Sequence, residues 1–175
     1  MELLIFGHHE GGHGLTAHMY GGKDIKMSLS DAGGSTEYDS SCFKNTPRDH
    51  MALMIIHASG FIAEYLFCGA SFWHFHSREG VLTSSDIEKL SKYAPFLTKD
   101  FFHGMLVRLQ NAFSNPVSWG RVQMLAERLR WSERRSISGI GPLIDDCNLY
   151  HQPANDAMPL IDFIVDSLYQ EKTKK

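Results

Sequence analysis

Cysteines, basic clusters and nucleotide-binding signatures are scarce or missing in this sequence. The three cysteines, Cys42, Cys68 and Cys147, are widely spaced and form no C-x-x-C pair. They match neither a zinc ribbon nor a redox motif, and we expect free thiols in a reducing, cytoplasmic compartment. With 17 basic and 20 acidic residues, the chain has no concentrated basic face for nucleic acid. The pattern G-x-x-x-x-G-K-S/T is missing, which excludes a P-loop ATPase.

The sequence also has no long apolar run that is free of ionisable residues. Residues 51–72 are apolar and long enough for a membrane span, which needs about 20 residues, but they include His57 and Glu64. Ionisable side chains are costly at bilayer depth, so we predict a buried core helix here. The N-terminal residues lack the basic start of a signal peptide, and we expect no membrane span.

The sequence does contain the pattern of one mainly helical domain. Its 175 residues, 43% of them hydrophobic, suffice for a single core. We predict one domain over 1–175, with a metal-site half at 1–93 and a helical half at 94–175. Residues 24–31 alternate apolar and polar like a half-buried strand, followed by a turn at 32–34, a short strand at 35–38 and, later, an aromatic loop at 69–83. The predicted helices are residues 3–20, 47–68, 86–93, 98–113, 117–131 and 157–171.

The strongest chemical signal is the segment His9-Glu10-Gly11-Gly12-His13, an H-E-x-x-H pattern. Residues four apart share one face of a helix, so His9 and His13 can bind one Zn²⁺ at about 2.0–2.1 Å. Glu10 lies about 100° around the helix from His9, where it can act as a general base without being a ligand. Glycines weaken a helix, by about 1 kcal/mol each, so those retained here indicate close packing or metal access.

A zinc site of this kind needs a third protein ligand, and the residues alone leave two acids open. A catalytic site keeps one position free for water or substrate, and no third histidine follows shortly after His13. Glu64 lies on the apolar helix, and Asp86 lies at a predicted helix start. Asp86 could equally be a capping or first-turn acid, and Glu64 a buried acid paired with an imidazole.

In order and approximate spacing, residues 7–90 resemble the peptidase domain of the FtsH-type ATP-dependent zinc metalloproteases. That domain has a His-Glu-Ala-Gly-His-Ala helix, a strand, a Gly-Gly segment, a helix with Ala-Ala-Glu-Glu near its end, and an Asn-Asp segment. The matching segments here are His9-Glu10-Gly11-Gly12-His13-Gly14, Ile25-Lys26-Met27-Ser28, Ala32-Gly33-Gly34, Ile62-Ala63-Glu64-Tyr65-Leu66-Phe67-Cys68-Gly69 and Leu82-Thr83-Ser84-Ser85-Asp86-Ile87-Glu88.

The resemblance implies a helical, zincin-like metallopeptidase domain with a small hairpin or sheet beside the H-E-x-x-H helix. It implies that His9, His13 and Asp86 bind Zn²⁺, that Glu10 is the general base, and that Glu64 orients a histidine ligand.

It also implies that an edge strand pairs with the substrate backbone. The matching segment is Gly33, Gly34, Ser35 and Thr36. From the residues alone, the two glycines can equally be read as a hairpin turn.

The departures from the family shape the functional hypotheses. Gly11 replaces the usual Ala, Ser85 replaces the Asn before the ligand Asp, and the 69–83 segment is longer. Without an ATPase module, the chain is expected to cleave only unfolded or flexible polypeptides, unless a separate ATPase or unfoldase supplies them. We also expect a smaller assembly than the family's hexameric rings. The alternative is a catalytically degenerate zinc-binding regulatory or interaction protein on the same scaffold.

Overall fold

A computed structural model of the chain describes residues 2–75 and 84–170, with residues 70–75 described by their backbone alone. The fold is mainly helical, with a small antiparallel sheet, as predicted. In chain order the elements are α1 Glu2–Met19, β1 Lys23–Ser30, β2 Gly33–Asp39, α2 Pro47–Phe75, α3 Ser85–Tyr93, a 3-10 turn Ala94–Phe96, α4 Lys99–Phe113, α5 Pro116–Trp131, β3 Ser136–Ser138, α6 Gly141–Asp145 and α7 Met158–Gln170.

Helix α1 lies at the centre of the fold and is buried on several faces, which explains its glycines. A Cβ on Gly11 would lie 3.0 Å from the Val122 carbonyl oxygen of α5, and one on Gly12 would lie 2.5 Å from the Ser59 carbonyl oxygen of α2. A Cβ on Gly14 would lie 2.6 Å from Met27 Sδ of β1. The glycines therefore let three neighbouring elements approach the backbone of α1, as the sequence indicated.

The sheet has the order β2-β1-β3, with all pairs antiparallel, so β2 is an edge strand among the described residues. Ile25, Met27 and Leu29 of β1 are buried, which matches the predicted alternation. The predicted turn at 32–34 is too long. Ser30 pairs with Gly33 and Leu29 with Gly34, so a two-residue loop suffices and both glycines belong to β2.

The prediction of a loop beginning at residue 69 is wrong, because α2 continues to Phe75 across a break at Gly69. Gly69 has φ 68° and ψ -168°, a left-handed conformation that glycine adopts without steric cost. The Asn155 side-chain amide donates to the Leu66 and Phe67 carbonyls, at 3.2 and 3.1 Å. It thus satisfies carbonyls freed by the break. Residues 76–83 lie outside the described part.

One segment of the described chain, Pro47–Gly69, is long and apolar enough to cross a membrane by length and composition. In the fold, 61% of its apolar window is buried against the rest of the protein. The core helix of a soluble protein passes the same test.

The C-terminal helices complete the core and begin at residues that the sequence marks. Thr98 caps α4 and Asn115 caps α5, each through its side-chain oxygen. A hydrophobic cluster joins residues of both predicted halves, among them Leu15, Leu66 and Val165. The short strand β3 was not predicted. Its three residues pair with Lys26–Ser28 of β1.

Candidate metal centre

His9 and His13 lie one turn apart on α1 and point their Nε2 atoms at a common position. The two Nε2 atoms are 3.0 Å apart. Asp86, in the first turn of α3, places Oδ2 at 3.3 Å from His9 Nε2 and 3.2 Å from His13 Nε2. Ser84 caps α3, accepting a hydrogen bond from the Ile87 amide, and so fixes the turn that carries Asp86. The three side chains are only 8–15% exposed.

The partners of the two Nδ1 atoms determine what the Nε2 atoms can do. His9 Nδ1 donates to Glu64 Oε2 at 2.8 Å, and His13 Nδ1 donates to the Ile56 carbonyl at 2.6 Å. A carboxylate and a carbonyl only accept, so each neutral imidazole carries its hydrogen on Nδ1 and a lone pair on Nε2. Two nitrogen lone pairs and a carboxylate oxygen therefore converge. This arrangement of three electron-pair donors is stabilised when a cation lies between them.

The distances among His9 Nε2, His13 Nε2 and Asp86 Oδ2 fit a tetrahedral metal ion. Bonds of about 2.0–2.1 Å at tetrahedral angles put ligand atoms about 3.3 Å apart, and the observed separations are 3.0–3.3 Å. Gly60 of α2 lets that helix lie close against both imidazole rings. A Cβ there would lie 2.6 Å from His9 Nε2 and in contact with His13 Nε2. The group His9, His13 and Asp86 can therefore bind a metal ion.

The electrostatics of the site also favour a positive charge at this position. Burial lowers the pKa of His9, but the hydrogen bonds with Asp86 and Glu64 outweigh it and raise that pKa to about 10. Burial likewise raises the pKa of Asp86, but its contacts with His13, His57 and His9 hold that pKa well below the usual range. The carboxylates thus attract either a proton or a metal cation to the imidazoles.

The structure places Asp86, and not Glu64, against both Nε2 atoms. Glu64 instead accepts from His9 Nδ1 and orients that ring. The family resemblance implied that Glu64 orients a histidine ligand, and a carboxylate on the other ring nitrogen raises the basicity of a histidine that binds a metal.

Glu10 lies next to His9 and is 5% exposed. The Thr36 hydroxyl of β2 donates to Glu10 Oε2 at 2.6 Å. A Cβ on Gly34 would lie 2.5 Å from Glu10 Cγ and 2.8 Å from Oε1. Gly34 therefore makes room for the Glu10 side chain, a role that neither sequence alternative anticipated.

The rest of the predicted substrate segment lies along β2. Ser35 Oγ is 2.8 Å from Ser28 Oγ of the neighbouring strand. Gly33 begins the strand opposite Ser30.

A cleft of about 470 Å³ opens onto these groups. Its lining includes Glu10 and His13 of α1, residues 34–38 of β2, His57 of α2, and Asp86 and Lys89 of α3. A larger cavity of about 690 Å³ lies between the end of α1, α2 and α4. It contains none of the metal-site residues, so the smaller cleft is the candidate active site.

Three residues of the site were missed from the sequence: His57, Gly60 and Lys89. His57 lines the cleft, and its Nδ1 lies 3.6 Å from Asp86 Oδ1. Burial lowers the pKa of His57, which favours the neutral ring. Residues 57, 60 and 64 are spaced three and four apart, so they share one face of α2, and that spacing was the available signal.

Comparison of the chain with protein-family models, with curated proteins and with solved structures gives no match.

Proposed function

We propose that this chain is a zinc-dependent endopeptidase that hydrolyses unfolded or flexible polypeptides. The observation that carries the proposal is the convergence of His9 Nε2, His13 Nε2 and Asp86 Oδ2 beside Glu10 at an open cleft. The resemblance to FtsH-type peptidase domains supports it, and we propose the same zincin-like architecture for the helices and sheet around the site.

Zinc is the metal that we propose for the site. Two imidazoles and one carboxylate suit a borderline-soft ion that accepts tetrahedral geometry, and three protein ligands leave one position open. A bound zinc ion would polarise a substrate carbonyl and lower the pKa of a coordinated water toward about 7. His9, His13 and Asp86 would hold the ion, and Glu64 and the Ile56 carbonyl would orient the two rings.

Glu10 is the proposed general base and then general acid. Thr36 engages its Oε2, so Oε1 is the oxygen that accepts a proton from the attacking water and passes it to the leaving amine. Gly34 allows this side chain to lie between α1 and β2. The sheet edge therefore positions the base as well as bordering the cleft.

The edge of β2 is the proposed substrate-binding element. An extended peptide can add to an edge strand through main-chain hydrogen bonds, which demand little of its sequence. Residues 34–38 of β2 line the cleft, so a peptide paired with this strand would pass the metal position. Only an unfolded or flexible chain can extend in this way, and a separate cytoplasmic ATPase or unfoldase is the proposed source of other substrates.

The exchange Glu10→Gln tests the mechanism. It keeps the shape of the side chain and an oxygen for Thr36, so the variant should fold and bind one zinc per chain. Loss of general acid–base catalysis should lower turnover of a fluorescently labelled, unfolded protein by about 10²–10⁴-fold. The matched control is Glu88→Gln, an exposed acid of α3, which should cleave at the wild-type rate.

Full activity in Glu10→Gln would refute the assigned base. A zinc-loaded wild-type protein that cleaves no unfolded substrate would favour the alternative, a zinc-binding regulatory protein on the same scaffold.

A further inference from the structure

Asp86 divides its two carboxylate oxygens between two different environments. Oδ2 faces the Nε2 atoms of His9 and His13. Oδ1 has Lys89 Nζ at 3.5 Å and His57 Nδ1 at 3.6 Å. The metal position is therefore addressed by only one oxygen of this carboxylate.

The two groups beside Oδ1 come from separate elements and approach the carboxylate independently. Lys89 is on α3, three residues after Asp86, so it lies on the same helix face. His57 projects from α2, which also carries Gly60 and Glu64. Lys89 is half-exposed, whereas Asp86 and His57 are each 14% exposed. The Lys89 ammonium lies at the outer limit of hydrogen-bond distance from Oδ1, and its opposite charge attracts that oxygen.

We propose that Lys89 and His57 are positioning residues that restrict Asp86 to one-oxygen coordination through Oδ2. The inference rests on the proposed metal site. A carboxylate can also bind a metal through both oxygens, but here Oδ1 would have to leave Lys89 and His57 to do so. By holding Oδ1, the two residues keep the number of protein donor atoms on the metal at three. The fourth coordination position is then left for water and substrate.

The spectrum of cobalt(II) in the site tests this proposal without any measurement of peptidase activity. Four-coordinate cobalt(II) absorbs visible light much more strongly than five- or six-coordinate cobalt(II). Chelator-treated protein would be loaded with Co²⁺ alone, as wild type, Lys89→Met and His57→Leu. Lys89→Arg keeps a cation at the position. Lys92→Met removes an exposed lysine one turn further along α3, where it pairs with Glu88, and is the matched control.

Wild type, Lys89→Arg and Lys92→Met should each bind one cobalt and show the intense four-coordinate spectrum. Lys89→Met and His57→Leu should keep one cobalt but lose most of the visible absorption, because the second oxygen of Asp86 joins the ion. Circular dichroism would verify folding, and the exposed position of Lys89 keeps the test available if His57→Leu fails to fold.

Unchanged spectra in folded Lys89→Met and His57→Leu would overturn the inference while leaving the proposed function intact. Loss of all cobalt binding in folded Lys89→Met would also overturn the inference. Lys89 would then be needed for metal binding itself and not only for limiting Asp86 to one oxygen. A folded wild type that binds neither cobalt nor zinc would refute the metal site itself, and with it the proposed function.

Discussion

Gly60 lies against the imidazole rings of His9 and His13. A Cβ at this position would lie 2.6 Å from His9 Nε2 and 2.7 Å from His13 Cε1, so one or both rings would have to move. Glycine inside a helix costs about 1 kcal/mol relative to alanine. At residue 60 that cost is explained by the room that the two imidazole rings need.

We therefore expect Gly60→Ala to fold but to bind zinc poorly. Overpacking typically costs roughly 1–3 kcal/mol. If that cost falls only on the metal-bound state, the zinc affinity drops about 5- to 140-fold. Competition with a chromophoric chelator measures this. The control is Gly104→Ala, because Gly104 also lies inside a helix but has open space around its Cβ position. Equal zinc affinity in the two variants would refute the role of Gly60.

His8 is a buried histidine that the metal site does not use. Its ring stacks on Phe67 at 3.8 Å, and Nδ1 donates to the Leu4 carbonyl at 2.7 Å. Nε2 is buried without a hydrogen-bond partner among the described residues. Burial lowers the pKa of His8 from 6.5 to about 4, so the folded protein keeps this ring neutral where the unfolded chain protonates it.

This difference predicts a pH-dependent loss of stability. Between pH 6.5 and about 4, the unfolded chain binds a proton at His8 that the folded chain does not. The free energy of unfolding should therefore fall as the pH falls through this window, by up to roughly 3 kcal/mol from His8. Urea unfolding of zinc-free wild type and His8→Leu across the window measures it. The variant's curve should be flatter, and parallel curves would contradict the prediction.

At the scale of elements, the contact between α1 and α2 holds the metal-site helix against its main neighbour. A Cβ on Gly12 would lie 2.5 Å from the Ser59 carbonyl oxygen and 2.8 Å from Ala63 Cβ. Neither atom belongs to a flexible side chain, so the helices themselves would have to separate. The second glycine of the H-E-x-x-H segment is therefore a packing residue as well as part of a motif.

Gly12→Ala should accordingly destabilise the fold by about 1–3 kcal/mol, the usual cost of overpacking a core. Urea unfolding would report this as a lower midpoint with an unchanged slope. Gly104→Ala again serves as the comparison and should be neutral or stabilising by up to about 1 kcal/mol. A Gly12→Ala midpoint at or above that of wild type would contradict the packing described for α1.

The elements that the sequence predicted are those whose signal is local. Helical spacing located α1, α4, α5 and α7, and alternation located β1. The strand β3 was missed because three residues carry no periodicity and gain their structure from pairing with Lys26–Ser28, more than 100 residues earlier. The helical stretch after Gly69 was missed because the capping amide of Asn155 comes from a distant loop.

In the candidate site, too, the sequence predicted what depends on local spacing and left open what depends on contacts between distant segments. Local spacing pointed to His9, Glu10 and His13, since five consecutive residues on a helix fix their geometry. The choice between Asp86 and Glu64 depended on how three separate elements meet, which no periodicity reports.

At the scale of the whole molecule, the metal position joins elements that are distant in sequence. The proposed ligands come from α1 and α3, the partners of their Nδ1 atoms from α2, and the proposed base accepts a hydrogen bond from β2. A metal ion that binds only the folded state raises the free energy of unfolding by RT ln(1 + [L]/Kd), where [L] is the free metal concentration. Zinc should therefore raise the melting temperature of wild type and have little effect when a ligand is removed.

The central claim, that His9, His13 and Asp86 bind one zinc ion, is tested most directly by the metal content per chain. Elemental analysis would be made on wild type, Asp86→Ala and the control Glu88→Gln, each purified without chelators. We expect about one zinc per chain in wild type and in the control, with marked loss in Asp86→Ala. Undiminished zinc in Asp86→Ala would return Glu64 to consideration as the third ligand, and a folded wild type without zinc would refute the metal site.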